Sequence, residues 1–122
     1  MRNVCQTILS VSDVGSTNGS KIDANQLVSA SFQVKISDAD FAGSVKIQYS
    51  NDPTGVNSTR ANFTPTNWSD SPNASITVTA GPSYSTTAIV IANMCFSWIR
   101  AVVTETTPGS GVATVNMNAL GI

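Results

Sequence analysis

The stretch GSVKIQYSNDP, residues 43–53, decides how this chain folds. Val45, Ile47 and Tyr49 alternate with Lys46, Gln48 and Ser50, a period of two that puts apolar groups on one side of a strand and polar groups on the other. Asn51, Asp52 and Pro53 then stop the strand. Proline has no N–H for a ladder, and Asn and Asp side chains bond readily to nearby backbone.

Working outward, the same grammar recurs. Residues 25–37 form a strand with Ala30, Phe32, Val34 and Ile36 on one face, and the phase breaks at Leu27, which predicts a bulge near Val28 and Ser29. Residues 96–105 alternate with apolar groups on both sides, as in a central strand covered twice. Residues 4–11, 74–79 and 111–119 supply further short strands. The run TTAIVI within residues 85–92 is rich in β-branched groups and favours a strand over a helix. Turn signals separate these pieces at Gly15 to Gly19, Gly81-Pro82 and Pro108-Gly109. Residues 54–71 are the least regular part, a long connection that could hide a short strand near residues 60–63.

The pattern predicts one all-β domain over residues 1–122, a two-layer antiparallel β-sandwich of seven to eight strands with jelly-roll or immunoglobulin-like topology. A closed barrel is the alternative. Ile89, Ile91, Trp98, Val102, Phe32, Val34, Val45 and Ile47 are the expected core. Residues 1–6 and 116–122 are candidate arms for assembly with neighbouring sheets.

Composition narrows the function. Hydrophobic residues make up 41% of the 122 residues, enough for a core, but charged residues only 11% against roughly 25% in an average soluble domain. Ser, Thr and Asn fill the difference. Such a surface suits an extracellular domain or a subunit held permanently against neighbours. The net charge of −1 and the scattered Lys and Arg residues argue against a nucleic-acid partner. No run of 18 apolar residues spans a membrane, and residues 1–20 lack the apolar core of a secretory signal. A chain of this kind would reach the outside by lysis or within a particle.

Histidine is absent, which removes Ser-His-Asp and Cys-His pairs. The seven carboxylates, Asp13, Asp23, Asp38, Asp40, Asp52, Asp70 and Glu105, fall mainly in turns, where backbone capping accounts for them, so no enzyme is expected. Asp38, Asp40 and Asp52 are the only hard-oxygen group worth weighing for calcium, and their spacing matches no calcium loop, so neither a metal nor a cofactor is expected. Cys5 and Cys95 could bridge, or could pack as free buried thiols; both alternatives stay open. Five Asn-x-Ser/Thr triplets begin at Asn18, Asn57, Asn62, Asn67 and Asn73, as expected by chance in so Asn-, Ser- and Thr-rich a chain.

The residues that could touch a ligand or pin a loop are Trp68, Tyr84 and Asp70. Trp98 lies in an apolar strand and reads as core. Trp68, in the turn PTNWSD, is either an exposed platform for a glycan or a plug holding a long loop to the sheets, and the plug is preferred. The uncharged run over residues 86–92 is either buried or an interface, since an undefended strand in a monomer is an aggregation hazard.

Four segments together, GSVKIQYSNDP (43–53), NWSD (67–70), CFSWIRAVV (95–103) and GSGVATVNM (109–117), resemble small β-sandwich structural proteins of bacteriophages, over about residues 26–119. Phe96 and Trp98 stand where that pattern often shows Tyr. The resemblance implies a virion protein that associates with itself and with other virion proteins such as the capsid protein. Because the chain is short for the usual major capsid fold, it implies a decoration protein or a head, neck or tail accessory. It transfers no active-site residue. A carbohydrate-binding module of discoidin or jelly-roll type, with glycan at Trp68 or Tyr84, is the rival expectation.

Overall fold

The computed structural model describes residues 2–12, 17–37, 42–55, 59–78, 84–85, 89–107 and 112–121. All ten elements among them are strands: β1 (Arg2–Ser12), β2 (Thr17–Asn18), β3 (Ile22–Asp23), β4 (Leu27–Ser37), β5 (Ala42–Ser50), β6 (Ser69–Val78), β7 (Tyr84–Ser85), β8 (Ile89–Ile91), β9 (Trp98–Thr107) and β10 (Val112–Gly121). The count exceeds the expected seven to eight because β2, β3 and β7 are two-residue pairings against long strands, too short to leave a periodic trace.

The strands form two antiparallel sheets. The first has the order β1-β10-β4-β7, with β8 also on β4; the second has the order β2-β9-β5-β6, with β3 also on β9. Between consecutive strands the chain passes from one sheet to the other, except at the β2–β3, β5–β6 and β7–β8 connections. A single hydrophobic cluster draws on both sheets. Phe32, Val34 and Ile36 of β4, Ala113, Val115 and Met117 of β10, Val45 and Ile47 of β5, and Ile99, Ala101 and Val103 of β9 are all buried in it. Tyr49 and Phe96 close one side of the cluster with stacked rings, centroids 4.4 Å apart.

Bulges adjust which residues face inward. On β1, Thr7 pairs with Asn116 and Leu9 with Val115, so Ile8 is the extra residue and both Ile8 and Leu9 are buried. On β4, Ser29 pairs with Leu120 and Leu27 with Gly121, leaving Val28 extra, where the broken alternation places it. The Val28 carbonyl accepts the Met94 amide at 2.7 Å, so the bulge turns a ladder group outward to anchor the segment before β9. The largest irregularity is in β6. Lys46 pairs with Ser75 and Gln48 with Asp70, so residues 71–74 stand against Ile47 alone. Pro72 lies in this excursion, and Asn73 takes a left-handed φ of 57°.

Several expectations are corrected. β6 starts at Ser69, five residues before the expected strand, because the sequence SDSPN hides ladder pairing on both sides of the proline. Residues 60–63 form no strand; they lie in a turn closed by the Asn62 and Phe63 amides on the Thr59 carbonyl. Cys5 and Cys95 are free, and both are exposed rather than buried. The two candidate arms are not free segments: Arg2 to Gln6 pair in register with Gly121 to Met117 inside the first sheet. Of the TTAIVI run, residues 89–91 are strand and 86–88 lie outside the described residues.

Candidate functional site

The strands of the second sheet carry apolar groups on the cluster side and a different set on the outer side. Along β9, Ile99, Ala101 and Val103 join the cluster while Trp98, Arg100 and Val102 point the opposite way. Opposite them on β5 are Ser50, Gln48 and Lys46. Trp98 is 2% exposed but does not belong to the central cluster, so the sequence-based core assignment is right about burial and wrong about side.

The cover over Trp98 comes from Arg60 and Phe63, in the connection between β5 and β6, and from Lys21 beside β3. The Arg60 guanidinium lies 4.2 Å from the indole centroid, the Lys21 ammonium 5.2 Å away, and the Phe63 ring 5.9 Å away. Arg60 is itself held: Nε and Nη2 donate to the two Asp23 carboxylate oxygens at 2.9 and 2.7 Å, and Nη2 also donates to the Ser97 carbonyl at 2.8 Å. Lys21 donates to the carbonyls of Ala61 and Phe63. Arg60 holds the Asp23 carboxyl below its ordinary range. Among the described residues the Trp98 indole N–H has no hydrogen-bond partner beneath this cover, and neither does the buried Thr54 hydroxyl.

Asp52 fixes the far end of the same strap. One carboxylate oxygen accepts the Thr66 and Asn67 amides at 2.8 and 2.9 Å, and the other accepts the Asn67 side-chain amide at 3.1 Å. These bonds, the Asn67 amide foremost, hold the Asp52 carboxyl below its ordinary range. Asp52 thus takes the backbone-capping role expected of a turn carboxylate. Asp38 and Asp40 lie outside the described residues, as does Asp13, and among the described residues no group of three metal-ligating side chains converges.

Two of the three expected contact residues meet on this face. Trp68 is half-buried, its N–H donating to the Pro65 carbonyl at 3.3 Å and its ring lying 4.4 Å from the Arg100 guanidinium. Arg100 donates from Nε and Nη2 to the Gln48 oxygen at 2.9 and 2.8 Å, and the Gln48 amide nitrogen donates to Asp70 at 2.9 Å. Only one orientation of the Gln48 amide serves both neighbours. Lys46 completes the row, 3.2 Å from Asp70. Gln48 first and Lys46 second hold the Asp70 carboxyl below its ordinary range, while burial lowers that of Arg100. Tyr84 is not part of this row; it lies in β7 of the first sheet, and its side chain is outside the described residues.

The first sheet has an outer face of a different kind. Three rows run across it: Thr7, Asn116 and Gln33; Cys5, Asn118, Ser31 and Val90; Asn3, Leu120 and Ser29. None of these ten side chains is charged. Thr7 donates to Asn116 at 2.8 Å and Cys5 to Asn118 at 3.2 Å, so the rows are tied together. Val90 is 64% and Leu120 38% exposed. They flank a shallow depression floored by Ser29, Ala30 and Ser31, and a second depression of about 440 Å3 lies between Cys5, Thr7, Ser31, Gln33, Asn116 and Asn118. Sequence reasoning missed this face. Its signal was the polar half of each alternating strand, in which small neutral residues predominate and exposed Lys35, paired with Thr114, is the charge among the described residues.

No family model matches the sequence, and no curated protein matches it. A solved structure, the SPBc2 prophage-derived protein YomS, is similar in fold, with a TM-score of 0.53 over 97% of this chain and 92% of that one at 12% sequence identity.

Proposed function

We propose that this chain is a structural component of a bacteriophage particle, a capsid decoration protein or a head, neck or tail accessory, that works by protein–protein contact and performs no catalysis. The observation that carries the reading is the outer face of the first sheet. Ten neutral side chains on it, beside the row that holds Lys35, can be covered by a neighbour without stripping water from a charge. Exposed Val90 and Leu120 supply apolar contact at about 25 cal/mol per Å2, a modest gain per copy that repetition multiplies.

The architecture agrees. We read the two sheets as the layers of a jelly-roll sandwich, supported by their strand orders: with β2 and β3 taken as one strand and β7 and β8 as another, eight strands wind through two Greek keys, alternating between sheets at every connection but β5–β6. β9 and β10 lie in opposite sheets, which disfavours the immunoglobulin-like option. Jelly rolls serve both virion and lectin proteins, so fold alone does not choose. The fold likeness to a prophage-derived protein and the neutral face favour the virion. The glycan reading is weakened by Trp68, whose ring is spanned by Arg100 and whose N–H is bonded to Pro65.

Particles purified from the host that carries this gene test the proposal. The chain should band with them at a fixed copy number relative to the capsid protein, and the double variant Val90→Glu, Leu120→Glu should fold yet fail to incorporate. Particles free of the chain would end the reading, as would full incorporation of the double variant.

A further inference from the structure

Each sheet has two edges, and in the second sheet both carry devices that block further strand pairing. β6 contains Pro72, the left-handed Asn73 and the four-against-one excursion opposite Ile47. The β2 and β3 edge is interrupted at residues 19–21, with two strand residues on either side among the described residues. Short strands, prolines and bulges are how proteins keep sheet edges from recruiting other chains. In the first sheet the β1 edge is 11 residues long, contains no proline and no carboxylate, and among the described residues has β10 as its strand partner on one side only. Its single charge, Arg2, sits at its first position, and its single bulge is at Ile8. Between them lies a regular, uncharged run, residues 3–7, whose middle residue is Cys5.

We propose that two copies of this chain join β1 to β1, antiparallel, about a two-fold axis through Cys5, so that the two first sheets become one continuous sheet. This deepens the assembly reading and rests on it. An antiparallel pair of identical strands is self-complementary, as a closed two-fold contact requires. Residues facing each other across such a pair share a face of the sheet, so only registers that match odd with odd positions work. The register centred on Cys5 sets Asn3 against Thr7 and Val4 against Gln6 of the second copy, uses the whole regular run, and leaves Arg2 outside it. No like charges meet. Asn3, Cys5 and Thr7 are exposed and sit in the neutral rows, so the joint carries those rows unbroken from one copy into the next. Main-chain bonds supply the affinity and the neutral side chains permit it, as in strand addition generally.

Two measurements test this. In the first, Cys95→Ser leaves Cys5 as the sole thiol of an otherwise native edge, and mild oxidation should give a disulfide-linked dimer through Cys5 at protein concentrations where a denatured control stays monomeric. In the second, light scattering follows dissociation. Asn3→Glu with Thr7→Glu puts like charges opposite each other and should weaken the dimer roughly tenfold or more, whereas Asn3→Lys with Thr7→Glu pairs opposite charges and should restore it. A wild-type chain that self-associates while both double variants behave like it, with no Cys5 crosslink, overturns the β1 joint and leaves particle incorporation standing. A wild-type chain that is monomeric throughout and does not crosslink also overturns the joint, and incorporation into particles then decides the assembly reading separately.

Discussion

Removing Arg60 should open the second sheet's outer face. Arg60→Ala loses three interactions at once. The Asp23 pair is partly exposed, with side chains 32% and 49% accessible, so it counts near the low end for surface ion pairs, about 0.5 kcal/mol. The bond to the Ser97 carbonyl contributes about 1 kcal/mol. The guanidinium over the Trp98 ring contributes about 0.5 to 1 kcal/mol. The expected loss is therefore about 2 kcal/mol, a large share of the 5 to 15 kcal/mol typical of a domain. Urea unfolding reads the loss, and tryptophan emission reads its cause, because Trp98 passes from 2% exposure to contact with water and its emission should move to the red. A Trp68→Phe background assigns that signal. Arg60→Lys keeps a cation but not the two-pronged grip on Asp23, and should fall about midway. A loss under about 0.5 kcal/mol with Trp98 emission unmoved would refute the idea that Arg60 is the lid of this small second core.

Two further outcomes follow from the geometry. At Gly19 an added Cβ would stand 2.8 Å from the Ala101 carbonyl oxygen and 3.1 Å from that of Ile8, both backbone atoms, so Gly19→Ala should cost about 1 to 3 kcal/mol in chemical denaturation; an unchanged midpoint would contradict the close approach. Asp23, Asp52 and Asp70 all have folded-state values held below the ordinary 3.8, so their stabilisation is complete above that value and drains away as pH falls through the depressed ones: the urea midpoint should be level near neutrality and drop below about pH 5, less steeply for Asp52→Asn, and an identical slope for that variant would contradict the strap assignment.

What could be read from the sequence was whatever depends on period two. The alternations at 30–36, 45–49 and 113–117 give strands, faces and burial, and the slip at Leu27 even locates a bulge. What escaped depends on pairing across distance. The β6 strand before Asn73 was hidden because Pro72 reads as a break when only its own segment is considered, although Asp70 and Ser69 resume the ladder on Gln48 and Tyr49. The position of Trp98 was hidden for a related reason. Alternation assigns it a side of the sheet, but the cover that buries that side comes from Arg60, Phe63 and Lys21, which lie far from it in sequence. Trp68 and Asp70 were singled out from a turn motif, and their connection through Arg100 and Gln48 needed the β5–β9 register, which no local pattern encodes.

The proline and left-handed asparagine of β6 have one more consequence. A protein crowded in many copies at one place runs the risk of fibril growth, in which each added molecule offers a fresh template to the next. Because the far side of β6 is thrown out of step opposite Ile47, a strand laid along it would lose its ladder midway, and growth from that side stalls at the first step. In the proposed assembly, growth through this edge is thus closed off.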